Sequence, residues 1–298
     1  ADFANLQNAH DSVAAGDTLY VEPSPTSYGD LIMNKKLVIY GNGYFDNTGG
    51  FSELRNLSLE TGSEGSIISN LYINQNITIR TSIITILSNR LRGGIQAPTS
   101  GLAINNIIIK KNYIGSLLQG KISNSIISNN YVGGWLNTDS NPANNTVSHN
   151  IILGQGAIDF QCNGCSVFNN IILDQSNSST GIFLNNSSVD NNIFVADLTY
   201  ENNSTNINPS TIFIVDPSVS DNDLPPGINQ DSRWQLSPQD TIATGKGVNG
   251  EDIGMFGGND PYILSGKGSI PFINNLIVPT SANINEGIPV KAEIEFNP

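Results

Sequence analysis

Seven segments share one pattern: IISNLY (67–72), ILSNRL (86–91), IKKNYI (109–114), ISNNYV (127–132), VSHNII (147–152), VFNNII (167–172) and VDNNIF (189–194). In each, an aliphatic residue stands three positions before an asparagine and an apolar residue two positions after it. The asparagines are Asn70, Asn89, Asn112, Asn130, Asn150, Asn170 and Asn192, spaced 18 to 23 residues apart. An earlier copy, IYGNGY (39–44), places Asn42 in the same role, with an insertion before the next. A period near 20 residues with several short β-branched runs per period describes one coil of a solenoid. One coil cannot bury its apolar face alone, but stacked coils share a continuous core.

Parallel strands stack about 4.8 Å apart, so equivalent residues of successive coils form columns. Ile and Val columns make the interior. An Asn column places amides where each bonds the next, which satisfies polar groups at an inward turn. Asp there would set like charges within about 5 Å of each other. A leucine-rich repeat also carries an Asn, but it needs a spaced LxxLxL run that these segments lack. The expectation is an all-β chain, a right-handed parallel β-helix of about eight to ten coils.

A solenoid needs caps over its exposed strand edges. Phe3, Leu6, Ala9 and Val13 fall at helical spacing, with Gly16 as a stop, so residues 1–16 are expected to be a cap helix with His10 exposed. The coils follow over 17–215, starting with the strand Thr18–Val21. Ile151, Ile171 and Ile193 are apolar beside apolar neighbours, and both faces of a strand cannot point inward. Residues 216–260, where the repeat fades, are therefore expected to fold back and cover that outer column. Residues 261–298 read as a linker and the first two strands of an immunoglobulin-like module, around Leu276–Pro279 and Val290–Ile294.

The cap helix, the Gly16-Asp17-Thr18 turn, Pro23, Tyr28 and LVIYGNG (37–43) resemble the entry segment of the pectin-lyase-like right-handed β-helix superfamily. With the Asn coils, the resemblance covers roughly residues 1–215. It implies the fold, while its members range over lyases, hydrolases, epimerases, adhesins and inactive proteins. The C-terminal arrangement resembles bacterial surface proteins exported by the type IX system. That resemblance implies an extracellular or cell-surface location and contact with outer-membrane export machinery.

Charge narrows the partners. The formal net charge is −13, with pI near 4.3. Nucleic acid binding needs a basic stripe, and none is visible; anionic polysaccharides are disfavoured likewise, unless bound calcium bridges the charges. No apolar run approaches the roughly 18 residues of a membrane-spanning helix. Cys162-Asn-Gly-Cys165 admits a turn-closing disulfide, free thiols or a metal site. His10 and His149 are not spaced to complete zinc coordination. No cofactor is implied.

Lyase chemistry needs an Arg or Lys base and a cation that stabilises an enolate. The columns one and two residues before the ladder Asn hold Lys110, Lys111, Ser128, Asn129, Ser148, His149, Asn169, Asp190 and Asn191. Stacking puts Lys111 two coils from His149, roughly 10 Å away. Lys110, Lys111, His149 and Asp190 are the catalytic candidates, set against a plain polar turn. Hydrolysis needs paired carboxylates, but Asp159, Asp174 and Asp190 fall in different columns. Tyr113 and Tyr131 follow the ladder Asn in successive coils, with Trp135 close in sequence, and such rings can stack on sugars. The leading expectation is an exported scaffold that binds glycan or mediates surface contact without catalysis. A polysaccharide-active enzyme and a passive export cargo are the alternatives.

Overall fold

The structure is a computed structural model that describes residues 3–45, 50–138, 143–154, 160–174 and 181–266, together with the backbone of two strands further on. It is an all-β, right-handed parallel β-helix built from three long parallel sheets, with a fourth of two strands where Ile104–Asn105 pairs with Ile122–Ser123. Within a coil the chain visits them in a fixed order, shown by Ile67–Ser69, Tyr72–Ile73 and Ile77–Ile79. The first sheet has nine strands, from Thr18–Tyr20 to Ser188–Asp190; the second and third have eight each. Strands two or three residues long suffice because each one inside a sheet pairs with the coils on either side. β-Branched Ile and Val suit this pleated, half-buried setting.

The interior follows the predicted columns except in the first segment, where Ile68 and Ile73 take the places expected of Ile67 and Tyr72. Ile39, Ile68, Ile86, Ile109, Ile127, Val147 and Val167 stack in register along the first sheet and are buried. Leu54, Ile73, Leu91, Ile114, Val132, Ile152, Ile172 and Phe194 do the same in the second. Cys162 and Cys165 form a disulfide across the turn between the third and first sheets, and both are buried.

The asparagine ladder runs along the corner between the first and second sheets. Asn112 is representative. Its Nδ2 donates to Lys110 O at 2.8 Å, to Ile86 O of the preceding coil at 3.0 Å and to Asn130 Oδ1 of the next coil at 3.0 Å. Asn130, Asn150, Asn170 and Asn192 repeat the pattern, and Asn203 extends it. Two expected members do not belong. Strand register aligns Ile68 with Ile86, so Leu71 precedes Asn89 in the column and Asn70 sits one residue earlier. Leu71 N–H donates to Asn89 Oδ1 at 3.0 Å, which begins the ladder at Asn89. Asn42 lies in the ladder column but exposed. Its main-chain N–H donates to Ser52 Oγ at 3.0 Å, and its side chain joins no ladder bond among the described residues.

The cap helix spans Leu6–Ser12, with Asn5 Oδ1 accepting from Gln7 N–H and Asn8 N–H at its start. His10, expected to be exposed, is buried against the first coil; its Nδ1 lies 2.7 Å from Asp11 Oδ1. The covering segment, expected at 216–260, is wider. Ile212, Phe213, Trp234, Ala243, Ile253, Met255 and Tyr262 all pack with Tyr131, Ile151, Ile171 and Ile193 in a second apolar core. Beyond it, Phe272–Ile277 and Lys291–Glu295 pair antiparallel, which gives two strands but no further module among the described residues. Residues 278–290 lie outside the described residues.

Candidate functional site

The residue before each ladder Asn turns the chain between the first and second sheets. Asn70, Ser88, Lys111, Asn129, His149, Asn169 and Asn191 all hold positive φ, from 52° to 61°. Asparagine tolerates this left-handed conformation better than most residues, which accounts for the Asn-Asn pairs. The turn aims these side chains outward, where the covering segment descends the solenoid. Asn191 Nδ2 donates to Lys246 O at 3.0 Å, and Asn169 Oδ1 accepts from Val248 N–H at 2.8 Å. Asn129 Nδ2 donates to Met255 O at 3.1 Å and Gly257 O at 2.9 Å. Asn70 Nδ2 donates to Gly266 O.

Three of the four catalytic candidates, Lys110, Lys111 and His149, bond the same covering segment. Lys110 Nζ lies 2.8 Å from Asp260 Oδ2, and Lys111 Nζ pairs with Asp260 Oδ1. The two ammonium groups hold the Asp260 carboxyl below the usual carboxylate range against the opposing effect of its partial burial. His149 Nε2 lies 3.1 Å from Glu251 Oε2 and 3.0 Å from Asn169 Nδ2, and the ring is buried. Burial pushes the imidazole pKa down, opposed by Glu251 and reinforced by Lys110. Asp190 stands apart near the last coil, accepting from Ser188 Oγ at 2.7 Å. Lys110, Lys111 and His149 are thus joined to the covering segment rather than directed into a shared cleft. Among the acids weighed for hydrolysis, Asp174 is buried after a second-sheet strand, Asp190 ends a first-sheet strand, and Asp159 lies outside the described residues. Among the described residues no three His, Cys, Asp or Glu side chains gather as a metal-binding group.

The aromatic platform expected at Tyr113 and Tyr131 is covered. Their rings stack at 4.4 Å, but each residue is only 6 % exposed. Trp234 lies over Tyr131 at 5.0 Å, and Phe45 meets Tyr113 edge-on at 5.4 Å. Burial raises both phenol pKa values. Trp135 is half-buried on the approach to the third sheet, its Nε1 donating to Gln119 Oε1 at 3.3 Å, and Leu136–Thr138 is a strand rather than a loop. The segment that covers the isoleucines therefore also covers the tyrosines.

A different aromatic pair remains open. Tyr20 and Tyr40 occupy the same position in the first two coils of the first sheet. Their rings stack at 6.0 Å with 23° between planes, and Tyr20 is 73 % exposed. They flank a groove of about 420 Å³ whose walls include Glu22, Pro23, Gly41 and Asn42. Glu22 and Asn42 are both exposed. The groove thus sets two aromatic faces beside a carboxylate and an amide. Tyr20 and Tyr40 were legible as strand residues, but their exposure depends on how far the covering segment reaches; its described part runs to Gly266, beside Tyr44 and Asn70. Comparison with protein-family profiles, with curated proteins and with solved structures finds no match for this chain.

Proposed function

We propose that this chain is an exported, non-catalytic scaffold that binds a neutral saccharide in the groove beside Tyr20 and Tyr40. The observation that carries the reading is the stacked pair, Tyr20 exposed and Tyr40 half-buried, with Glu22 and Asn42 alongside. Sugar rings present C–H faces that pack on aromatic rings and hydroxyls that bond amides and carboxylates. A net charge of −13 disfavours uronates and other anionic glycans. The buried Cys162–Cys165 disulfide supports an oxidising, extracellular setting. Engagement of Lys110, Lys111 and His149 by Asp260 and Glu251 supports binding without turnover.

A glycan array with neutral and anionic saccharides tests this reading. Retention of neutral glycans is expected, weakened about tenfold by Tyr20→Ala, the loss of one good aromatic contact. Asn42→Ala removes a hydrogen bond to the sugar and weakens binding less. Tyr131→Ala lowers stability but leaves the affinity of the folded fraction unchanged. Unaltered affinity in Tyr20→Ala, or a preference for anionic glycans, sinks the proposal.

A further inference from the structure

The three sheets each present a terminal strand at the cap end, and two of those edges are closed. In the third sheet, Gln7 of the cap helix imitates a neighbouring strand along Leu31–Met33. Its Oε1 accepts from Ile32 N–H at 2.8 Å and its Nε2 donates to Ile32 O at 3.3 Å. In the second, the chain at Tyr28 and Gly29 lies along Glu53–Leu54. Tyr28 N–H donates to Glu53 O at 2.8 Å, and Arg55 N–H donates to Gly29 O at 2.9 Å.

Among the described residues the first sheet has no equivalent cover. Thr18–Tyr20 is its terminal strand. Asp17 O accepts from Val38 N–H at 3.0 Å and Val21 N–H donates to Tyr40 O at 2.7 Å, so odd-numbered residues bond the second coil. In a parallel ladder the main-chain groups of alternate residues face opposite edges. Those of Thr18 and Tyr20 therefore face away from the solenoid. Along that edge lies a cavity of about 440 Å³ between strand and cap helix, with walls that include Phe3, Leu6, Ala9, Val13, Leu19 and Tyr28. Asp17 and Glu22 stand exposed at the two ends of the edge. Unpaired strand edges are normally blocked by charge, distortion or a covering segment.

We infer that this edge accepts an extended peptide as an additional strand, with apolar side chains in the cavity and basic residues at its ends. Main-chain groups at strand spacing supply the hydrogen bonds, and the cavity beside them receives side chains from the added strand. Asp17 and Glu22 select cationic flanks. Asp17 also accepts from Ala14 N–H at 2.8 Å through Oδ2, which holds it in place at the strand start. The edge shares Tyr20 and Glu22 with the saccharide groove but uses the main chain of Tyr20 rather than its ring.

The test uses the whole chain and a panel of acetylated, amidated peptides that alternate Val or Ile with Thr between terminal lysines. Calorimetry and hydrogen exchange are read together. Binding of panel members is expected, with slowed exchange at the amides of Thr18 and Tyr20. N-methylation of the peptide's central amides should weaken binding about tenfold, and glutamate in place of the terminal lysines should weaken it as well. Ala9→Phe, which fills the cavity, should compete with the peptide. The N-methyl comparison alters only the ligand, so it holds even if Ala9→Phe misfolds. No binding across the panel, equal binding after N-methylation, or protection of Thr18 and Tyr20 through self-association without peptide would overturn the inference.

Discussion

Asn130 is fully buried, and every polar atom of its amide is engaged. Its Nδ2 donates to Ile109 O, Ser128 O and Asn150 Oδ1, and its Oδ1 accepts from Asn112 N–H and Nδ2. Truncation strands several buried partners at once. Asn130→Ala should cost about 3 kcal/mol in denaturant unfolding, while Asn42→Ala should fall within about 0.5 kcal/mol of wild type. The sequence reveals that an Asn column exists but not where it begins. Asparagine suits both the ladder position and the left-handed turn before it, so IISNLY fits the template one residue out of register. A turn at the opposite end of the first-sheet strands offers a second residue-scale test. There Asn106, Asn124, Asn144 and Asn186 hold positive φ, and so does Ile83, with φ 61° and 53 % exposure. A β-branched residue is strained in that conformation. Ile83→Asn should therefore raise stability by about 1 kcal/mol, read from the thermal midpoint.

At the scale of elements, the covering segment is the second structural unit. It carries its own polar anchors: Arg233 is buried, with Nη1 2.8 Å from Asp221 Oδ1 and Nη2 2.8 Å from Val219 O. Tyr44 Oη and Tyr262 Oη lie 2.9 Å apart, and Tyr262 Oη donates to Asp231 at 3.2 Å, which ties the second coil to the end of the segment. That an outer apolar column must be covered was legible from Ile151, Ile171 and Ile193. Which polar side chains hold the cover was not, because His149 and Glu251 are 102 residues apart in sequence and no local pattern links them. The clasp has a pH signature. Burial keeps His149 below its ordinary pKa of 6.5, so the unfolded chain binds more protons as pH falls through that value. His149 therefore contributes a loss of stability below about pH 6.5. His149→Asn keeps a residue suited to the turn and should give a shallower decline in thermal midpoint between pH 7.5 and 5.5. Parallel declines in the two proteins would assign that pH dependence to other groups.

For the whole molecule, the solenoid, its cap and its cover leave few exposed aromatic surfaces among the described residues. The covering segment hides Tyr113 and Tyr131, and the open pair Tyr20 and Tyr40 lies at the cap end. The period of the sequence reports the coil, but exposure depends on how far a non-repeating segment reaches, and periodicity carries no information about that. The functional account rests on binding without turnover at the Tyr20 groove. Electrophoresis through gels containing each of a broad set of polysaccharides, with and without calcium, reads retardation. The same mixtures assayed for ultraviolet-absorbing unsaturated ends and for new reducing ends read turnover. The account predicts retardation by at least one neutral polysaccharide, relieved by Tyr20→Ala, with neither product formed. Release of either product, or retardation that Tyr20→Ala leaves intact, would contradict it.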